Sequence, residues 1–183
     1  MKNKKKTIAG VLVMLALVLL ALPLGVNRSL SSVRKAAEDQ YYYDSTGYAI
    51  FQGLAARQES AHNLITVAKK YTDQNQNLTA LIDELESAVT LAENSYEFEE
   101  EVETNRRLTE AAHALSDELS RTELSERDAK YPESLILEMD SQQDKIERSS
   151  YNAEARKFNE KLEKFPVNIL RGVAFVSPLA LFN

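Results

Sequence analysis

The stretch from Thr7 to Val26 constrains this chain more than any other, because it carries no charged residue and is nearly all Leu, Val, Ala and Ile. About 20 apolar residues of helix cross the hydrocarbon core of a bilayer, and a helix satisfies its own backbone groups, as lipid requires. Lys2, Lys4, Lys5 and Lys6 stand before it, and the first charge behind it is Arg28. That bias sets the N-terminus in the cytoplasm and the residues after Val26 outside. A cleaved signal peptide shares the basic start and apolar middle but needs small residues before the cut. Ala21-Leu22-Pro23-Leu24-Gly25 offers no A-x-A pattern, and the run is longer than the usual signal core of about 7 to 15 residues. The expectation is an uncleaved signal-anchor, a transmembrane helix over residues 7–26 behind a cytoplasmic basic tail, residues 1–6.

The exported remainder is bounded by its charge. Taking the four lysines from the 22 basic residues leaves 18 against 28 acidic, a balance of minus 10. This argues against nucleic acid as a partner and against gripping an anionic membrane surface. The absence of Cys removes a lipoprotein anchor, thiolate metal sites and thiol catalysis, and leaves stability to packing. Two N-x-[ST] triplets, at Asn27 and Asn77, carry little weight.

Five Gly and four Pro leave long stretches without a helix breaker, and apolar residues recur at steps of three and four. The spacing predicts helix from Leu30, Val33 and Ala37, then a kink or short break at Asp44-Ser45-Thr46-Gly47. A heptad-like, coiled-coil seam follows: Ile50, Leu54, Arg57, Ala61, Leu64, Ala68 and Tyr71. Thr72 to Asn77 reads as a turn, with Asn77 or a neighbour as cap. A second long helix has its seam at Leu78, Leu81 with Ile82, Leu85, Val89, Ala92 and Tyr96, then resumes out of phase at Phe98, Val102, Leu108, Ala112, Leu115 and Leu119. Arg121 to Tyr131 is polar, and Pro132 marks the first turn of a third long helix. That helix carries Leu135 with Ile136, Met139, Gln143, Ile146, Ser150, Ala155, Phe158 and Leu162. The predicted fold is all-α: the transmembrane helix, then an elongated antiparallel bundle of three to four long helices over residues 27–165. An apolar C-terminal tail, residues 166–183, packs on the bundle. Counting three helices outward, back and outward places that tail at the distal hairpin around Ala68 to Leu78, or against an oligomer partner.

From the third helix onward the chain resembles the LemA family of small bacterial membrane-anchored proteins with a helical-bundle ectodomain. The resemblance rests on Tyr131-Pro132, Ser150-Tyr151-Asn152, Phe158-Asn159, Phe165-Pro166-Val167-Asn168 and Phe182, with Arg57, Asn63-Leu64-Ile65 and Tyr71 upstream. It departs at His62, where the family commonly has Pro. The resemblance implies an exported bundle on one transmembrane helix and brings no catalytic residues.

Three features bear on chemistry. From Asp83 to Glu103 there are nine carboxylates and no base; scattered around a helix, they read as a solvated face and not as a cation loop. Glu59-Ser60-Ala61-His62 and Glu110-Ala111-Ala112-His113 are both E-x-x-H, the spacing that aims a carboxylate and an imidazole at a di-metal centre. If the first two helices form one hairpin, His62 faces roughly residue 87, and the motifs lie about 26 residues, or about 39 Å, apart. Tyr41-Tyr42-Tyr43 is read as two packed rings and one exposed. Asn152 and Asn159 share a helix face, placed to hydrogen-bond across the bundle or to the returning tail.

The sequence therefore predicts a membrane-anchored extracytoplasmic scaffold or interaction protein, single-pass in the cell membrane, without catalytic, cofactor-binding or metal residues. Its expected partners are the lipid bilayer through residues 7–26 and either another protein or a second copy. The alternative is a metal-binding or metal-dependent bundle enzyme using the two E-x-x-H motifs.

Overall fold

A positive backbone angle at Gly47, φ 85°, turns the chain out of its first helix. The computed structural model describes residues 2–44 and 47–183, so Ser45 and Thr46 of the expected break lie outside the described residues. Among the described residues all regular structure is helical: α1 (Lys2–Tyr42), α2 (Ile50–Ala68), a 3-10 turn (Lys69–Tyr71), α3 (Asn77–Glu93), α4 (Phe98–Ser120), α5 (Tyr131–Glu147), α6 (Ser150–Glu163) and α7 (Val167–Val173). The chain divides into two compact units, one of Asp39–Ala153 with Ala180–Asn183, the other of Met1–Glu38 with Glu154–Leu179.

The larger unit is a four-helix bundle of α2, α3, α4 and α5. His62 meets Glu93 and Lys69 meets Glu86, so numbers rise along α2 as they fall along α3. Asn77, at the start of α3, reaches Glu118 near the end of α4. Arg57 meets Met139 and Gln143, and Lys70 meets Asp128, which sets α5 antiparallel to α2. Short connections impose this alternation. The expected seams bury as predicted: Ile50, Ala61, Leu64 and Ala68 in α2, Leu78 and Leu85 in α3, Leu108 and Leu115 in α4, and Met139 in α5 are at most 1 % exposed. At Gly53 the helices α2 and α5 come so close that a Cβ would lie 2.9 Å from Ile146 Cγ1 and 2.1 Å from the Tyr48 hydroxyl; only Gly fits there.

The second predicted helix is two helices. Residues 94–97 reverse the chain, and side chains close the end of α3: Asn94 Nδ2 donates to the Thr90 carbonyl at 2.7 Å and Ser95 Oγ to the Leu91 carbonyl at 2.8 Å. They satisfy carbonyls that the helix end leaves open. Glu99, Glu100 and Glu101 then occupy the first turn of α4, where the macrodipole favours negative charge. The phase change at Phe98 is thus a reversal within one sequence run. Tyr96, placed in the seam by spacing, is 82 % exposed at this corner. Asn75 closes the turn after α2, its Oδ1 accepting from the Asn77 N–H at 3.1 Å; Asn77, expected there as a cap, is the first residue of α3, and the cap position, Gln76, makes no side-chain bond to the helix.

The third predicted helix breaks at Arg148 and Ser149. Asn152 Nδ2 donates to the Ile146 and Glu147 carbonyls at the end of α5, and Asp44 accepts from both the N–H and the hydroxyl of Ser150, at 2.8 and 3.0 Å. A carboxylate more than a hundred residues away in sequence thus caps α6.

In the smaller unit, Leu30 and Ala37 of α1, Ala155, Phe158 and Leu162 of α6, and Ala174 and Leu179 of the tail are buried. Asn27 Nδ2 donates to the Ala174 carbonyl at 2.7 Å, and Val167 lines a shallow apolar cleft with Ala21, Gly25, Val26 and Leu30. Within this unit the tail lies against α1 and α6. Among the described residues no helix is long and apolar enough to cross a membrane. Residues 7–26 are helical as part of α1, and many of their side chains lie outside the described set.

Leu85 is fully buried in the bundle core, so Leu85→Ala should lower stability by about 2 to 5 kcal/mol. Urea unfolding followed by helical circular dichroism checks this, and an unchanged midpoint would remove Leu85 from the core.

Candidate functional site

The largest fully buried side chain in the bundle is a cation. Arg57 stands where heptad spacing calls for an apolar residue, and it is 0 % exposed. Its Nη1 donates to the Met139 carbonyl at 3.1 Å and to Gln143 Oε1 at 2.8 Å, and its Nη2 to the Thr109 hydroxyl. Among the described residues no carboxylate lies within ion-pair distance of it, and its Nε has no partner. Burial pushes its pKa down to about 10, against the fields of Asp140, Tyr48 and Glu147, which leaves it cationic at neutral pH. Asn105 Nδ2 donates to the same Gln143 oxygen at 2.9 Å. Asn105 and Thr109, one turn apart on α4, thus extend a polar seam from α2 through α4 to α5.

A second polar lock lies at the other end of α2. Asp128 is buried and accepts from the Tyr71 hydroxyl at 2.9 Å and from Lys70 Nζ at 3.2 Å. The Tyr71 hydrogen bond first, and then Lys70, hold its carboxyl below the ordinary range against the opposing effect of burial.

Two asparagines hold the tail, one of the two arrangements that their spacing allowed. Asn152 Nδ2 donates to the Phe182 carbonyl at 2.8 Å while its Oδ1 accepts from the Phe182 N–H at 3.0 Å. Asn159 does the same with Leu179, at 2.9 and 2.8 Å. The asparagines are seven apart in sequence and the clamped residues three, a ratio that suits helix rising about 1.5 Å per residue beside extended chain rising about 3.3 Å. The Phe182 ring packs on Tyr41 and Tyr151, at centroid distances of 5.9 and 5.7 Å.

The E-x-x-H motifs separate in a way the sequence did not predict. His62 is five residues past Arg57 and His113 four past Thr109, and since Arg57 meets Thr109, the two imidazoles stand at nearly one level. The expected separation of about 39 Å along the bundle is wrong, because it assumed one unbroken second helix. They face different neighbours: His62 meets Glu93 at 2.9 Å and His113 meets Asp140 at 3.1 Å, while Glu110 pairs with Arg106. Among the described residues no group of three His, Asp or Glu is placed to hold a metal. The acidic run is likewise partly paired, Glu86 with Lys69 and Glu103 with Arg106 and Arg107; those two guanidiniums lower the Glu103 pKa to about 2.

One concave feature carries unmatched chemistry. A cleft of about 300 Å³ opens between α2, α3 and α4, lined by Tyr41, Tyr42, Phe51, Tyr96, Glu101 and Asn105 among others. Of the three consecutive tyrosines only Tyr41 is buried; Tyr42 and Tyr43 are 54 and 83 % exposed, so one ring packs where two were expected. The Tyr41 hydroxyl donates to Glu101 Oε1 at 2.8 Å. Burial raises the pKa of both groups. Glu101 Oε2 and Asn105 Oδ1 are buried and have no donor. Sequence reading passed over both, since Glu101 sits inside a run of acids and Asn105 is offset from the apolar seam.

Fold and site together define an all-α bundle stitched by buried polar side chains. A model of the LemA family matches residues 49–183, and the chain belongs to that family. No match was found among curated proteins or among solved structures. Of the residues that carried the resemblance, Arg57, Tyr71, Asn152, Asn159 and Phe182 make contacts described above, and the Tyr151 hydroxyl donates to the Ala180 carbonyl at 2.9 Å, while Asn63, Phe165, Pro166 and Asn168 are exposed.

Arg57→Ala should cost about 3 to 5 kcal/mol, because it leaves a void and strips a donor from the buried Met139 carbonyl and from the half-buried Gln143 and Thr109; urea unfolding measures it. Asp128 makes a pH-dependent contribution. A carboxyl whose folded pKa is depressed stabilises the fold fully above its unfolded value, 3.8, and loses that effect as pH falls through the folded value. Asp128→Asn should therefore melt below the parent at pH 7, with the difference shrinking as pH falls below 3.8. A difference independent of pH would mean that the charge of Asp128 is not what matters.

Proposed function

We propose that this chain is a membrane-tethered, non-catalytic scaffold that offers the outer surface of its bundle to a protein partner or to a second copy of itself. The observation that carries this reading is the fate of the buried polar side chains. Arg57, Asp128, Asn152 and Asn159 each join one helix to another, to a connecting segment or to the tail, so their polar atoms are engaged in holding elements together. In this reading α1 anchors the chain through residues 7–26 as a single pass in the cell membrane, with the N-terminus cytoplasmic and the bundle outside. The support is the uncharged run behind four lysines. The smaller unit adds to it, since Val13, Leu17, Leu24, Ile169 and Phe175 are all exposed large apolar residues, a surface that suits lipid better than water. The acidic excess speaks against nucleic acid as partner.

Nothing favours the di-metal reading, whose histidines face different neighbours. Stoichiometric iron or manganese in the purified protein, lost on changing His62 and His113 together, would replace the scaffold with a metalloprotein.

The topology has a direct test. A reporter fused after Asn183 should be active only outside the cytoplasm, and an apolar photolabel dissolved in the bilayer should react near Phe175. Cytoplasmic activity of the reporter would sink the anchoring arrangement.

A further inference from the structure

The cleft between Tyr42, Phe51 and Tyr96 has features that packing does not account for. Two of its lining residues each carry a buried acceptor oxygen without a donor, Glu101 Oε2 and Asn105 Oδ1. A buried acceptor left unsatisfied keeps the cost of its lost hydration, and Asn105 is only 5 % exposed. Glu101 and Asn105 are one turn apart on α4, so their side chains leave the same face with Cβ atoms about 5 to 6 Å apart, within reach of one small donor group. The other carboxylate oxygen, Oε1, is already held by Tyr41, which fixes the orientation of the group.

The walls point to the charge of that donor. Tyr42, Phe51 and Tyr96 are 54, 40 and 82 % exposed, and Tyr42 and Phe51 stand with centroids 6.1 Å apart. Exposed aromatic residues lining a cleft with a carboxylate can attract cations through the ring quadrupole. The surroundings are acidic as well, because the corner lies within the run from Asp83 to Glu103 that has no base. The macrodipole explains carboxylates in the first turn of α4. It does not explain a carboxylate oxygen turned inward beside a second unpaired acceptor.

We propose that this cleft binds a primary ammonium group, the head of an alkylamine or of a lysine side chain, with N–H donors directed to Glu101 and Asn105 and the cation bracketed by the rings of Tyr42, Phe51 and Tyr96. The need for N–H donors sets a primary ammonium apart from a quaternary one, which would satisfy the rings and leave both oxygens unpaired. The site does not depend on membrane anchoring, so its failure would leave the scaffold reading untouched.

The test uses the full chain in detergent, titrated with n-butylammonium, 1-butanol and tetramethylammonium and followed by tyrosine ring resonances and calorimetry. Saturable binding of n-butylammonium is expected, with both other probes at least about tenfold weaker, as loss of the charge or of the N–H donors implies. Glu101→Gln, whose carbonyl can still accept from Tyr41, should weaken n-butylammonium about tenfold or more. Tyr96→Ala, at an exposed position, should weaken it several-fold without changing helical content. A capped Ala-Lys-Ala peptide distinguishes the sources: tighter binding than n-butylammonium assigns the site to a lysine of a protein partner, and equal or weaker binding assigns it to free amines. Equal binding of 1-butanol or of tetramethylammonium, no binding of n-butylammonium, or indifference to both substitutions would overturn the proposal.

Discussion

A guanidinium with no carboxylate beside it sits inside the bundle, and the arrangement of the surrounding helices answers to it. Taking a charge out of water costs several kcal/mol unless its donors are met. Arg57 is met by a backbone carbonyl of α5, a carboxamide of α5 and a hydroxyl of α4. Those acceptors are on two helices, so the charge is satisfied only when both pack on α2 in one register. Gly53, one turn earlier in α2, allows the approach by leaving room for Ile146. A purely apolar seam would tolerate sliding; a buried donor with fixed acceptors does not.

The same device recurs wherever the chain must stop or return. Asp44 caps α6, Asn94 and Ser95 close α3, Tyr71 and Lys70 fix Asp128 before α5, and two asparagines hold the tail through both backbone groups of the residues they face. Without cysteines, long-range closure in this protein falls to side-chain hydrogen bonds. Glu101 and Asn105 differ in that one buried oxygen of each remains open.

Membership of the LemA family accords with this economy. Several of the residues by which the chain resembles the family, Arg57, Asn152 and Asn159 among them, join one element to another.

Much of the bundle was legible in the sequence. A period of three to four marked the buried faces of α2 to α6, Pro132 marked the start of α5, and Gly47 marked the break after α1, because these depend on local geometry alone. Direction was not legible. The turn at 94–97 contains neither Gly nor Pro, so nothing local distinguished a change of phase within one helix from a reversal between two, and the placement that counted through it, the level of His113 against His62, failed. The open oxygens of Glu101 and Asn105 were equally hidden, since whether a polar side chain finds a donor depends on what three other segments bring to it. By itself the sequence determined which faces are apolar and where the helices begin, because those follow from spacing and backbone chemistry. Only the tertiary structure decided which helices are neighbours and which polar groups are left unpaired, because those depend on contacts between residues far apart in the chain.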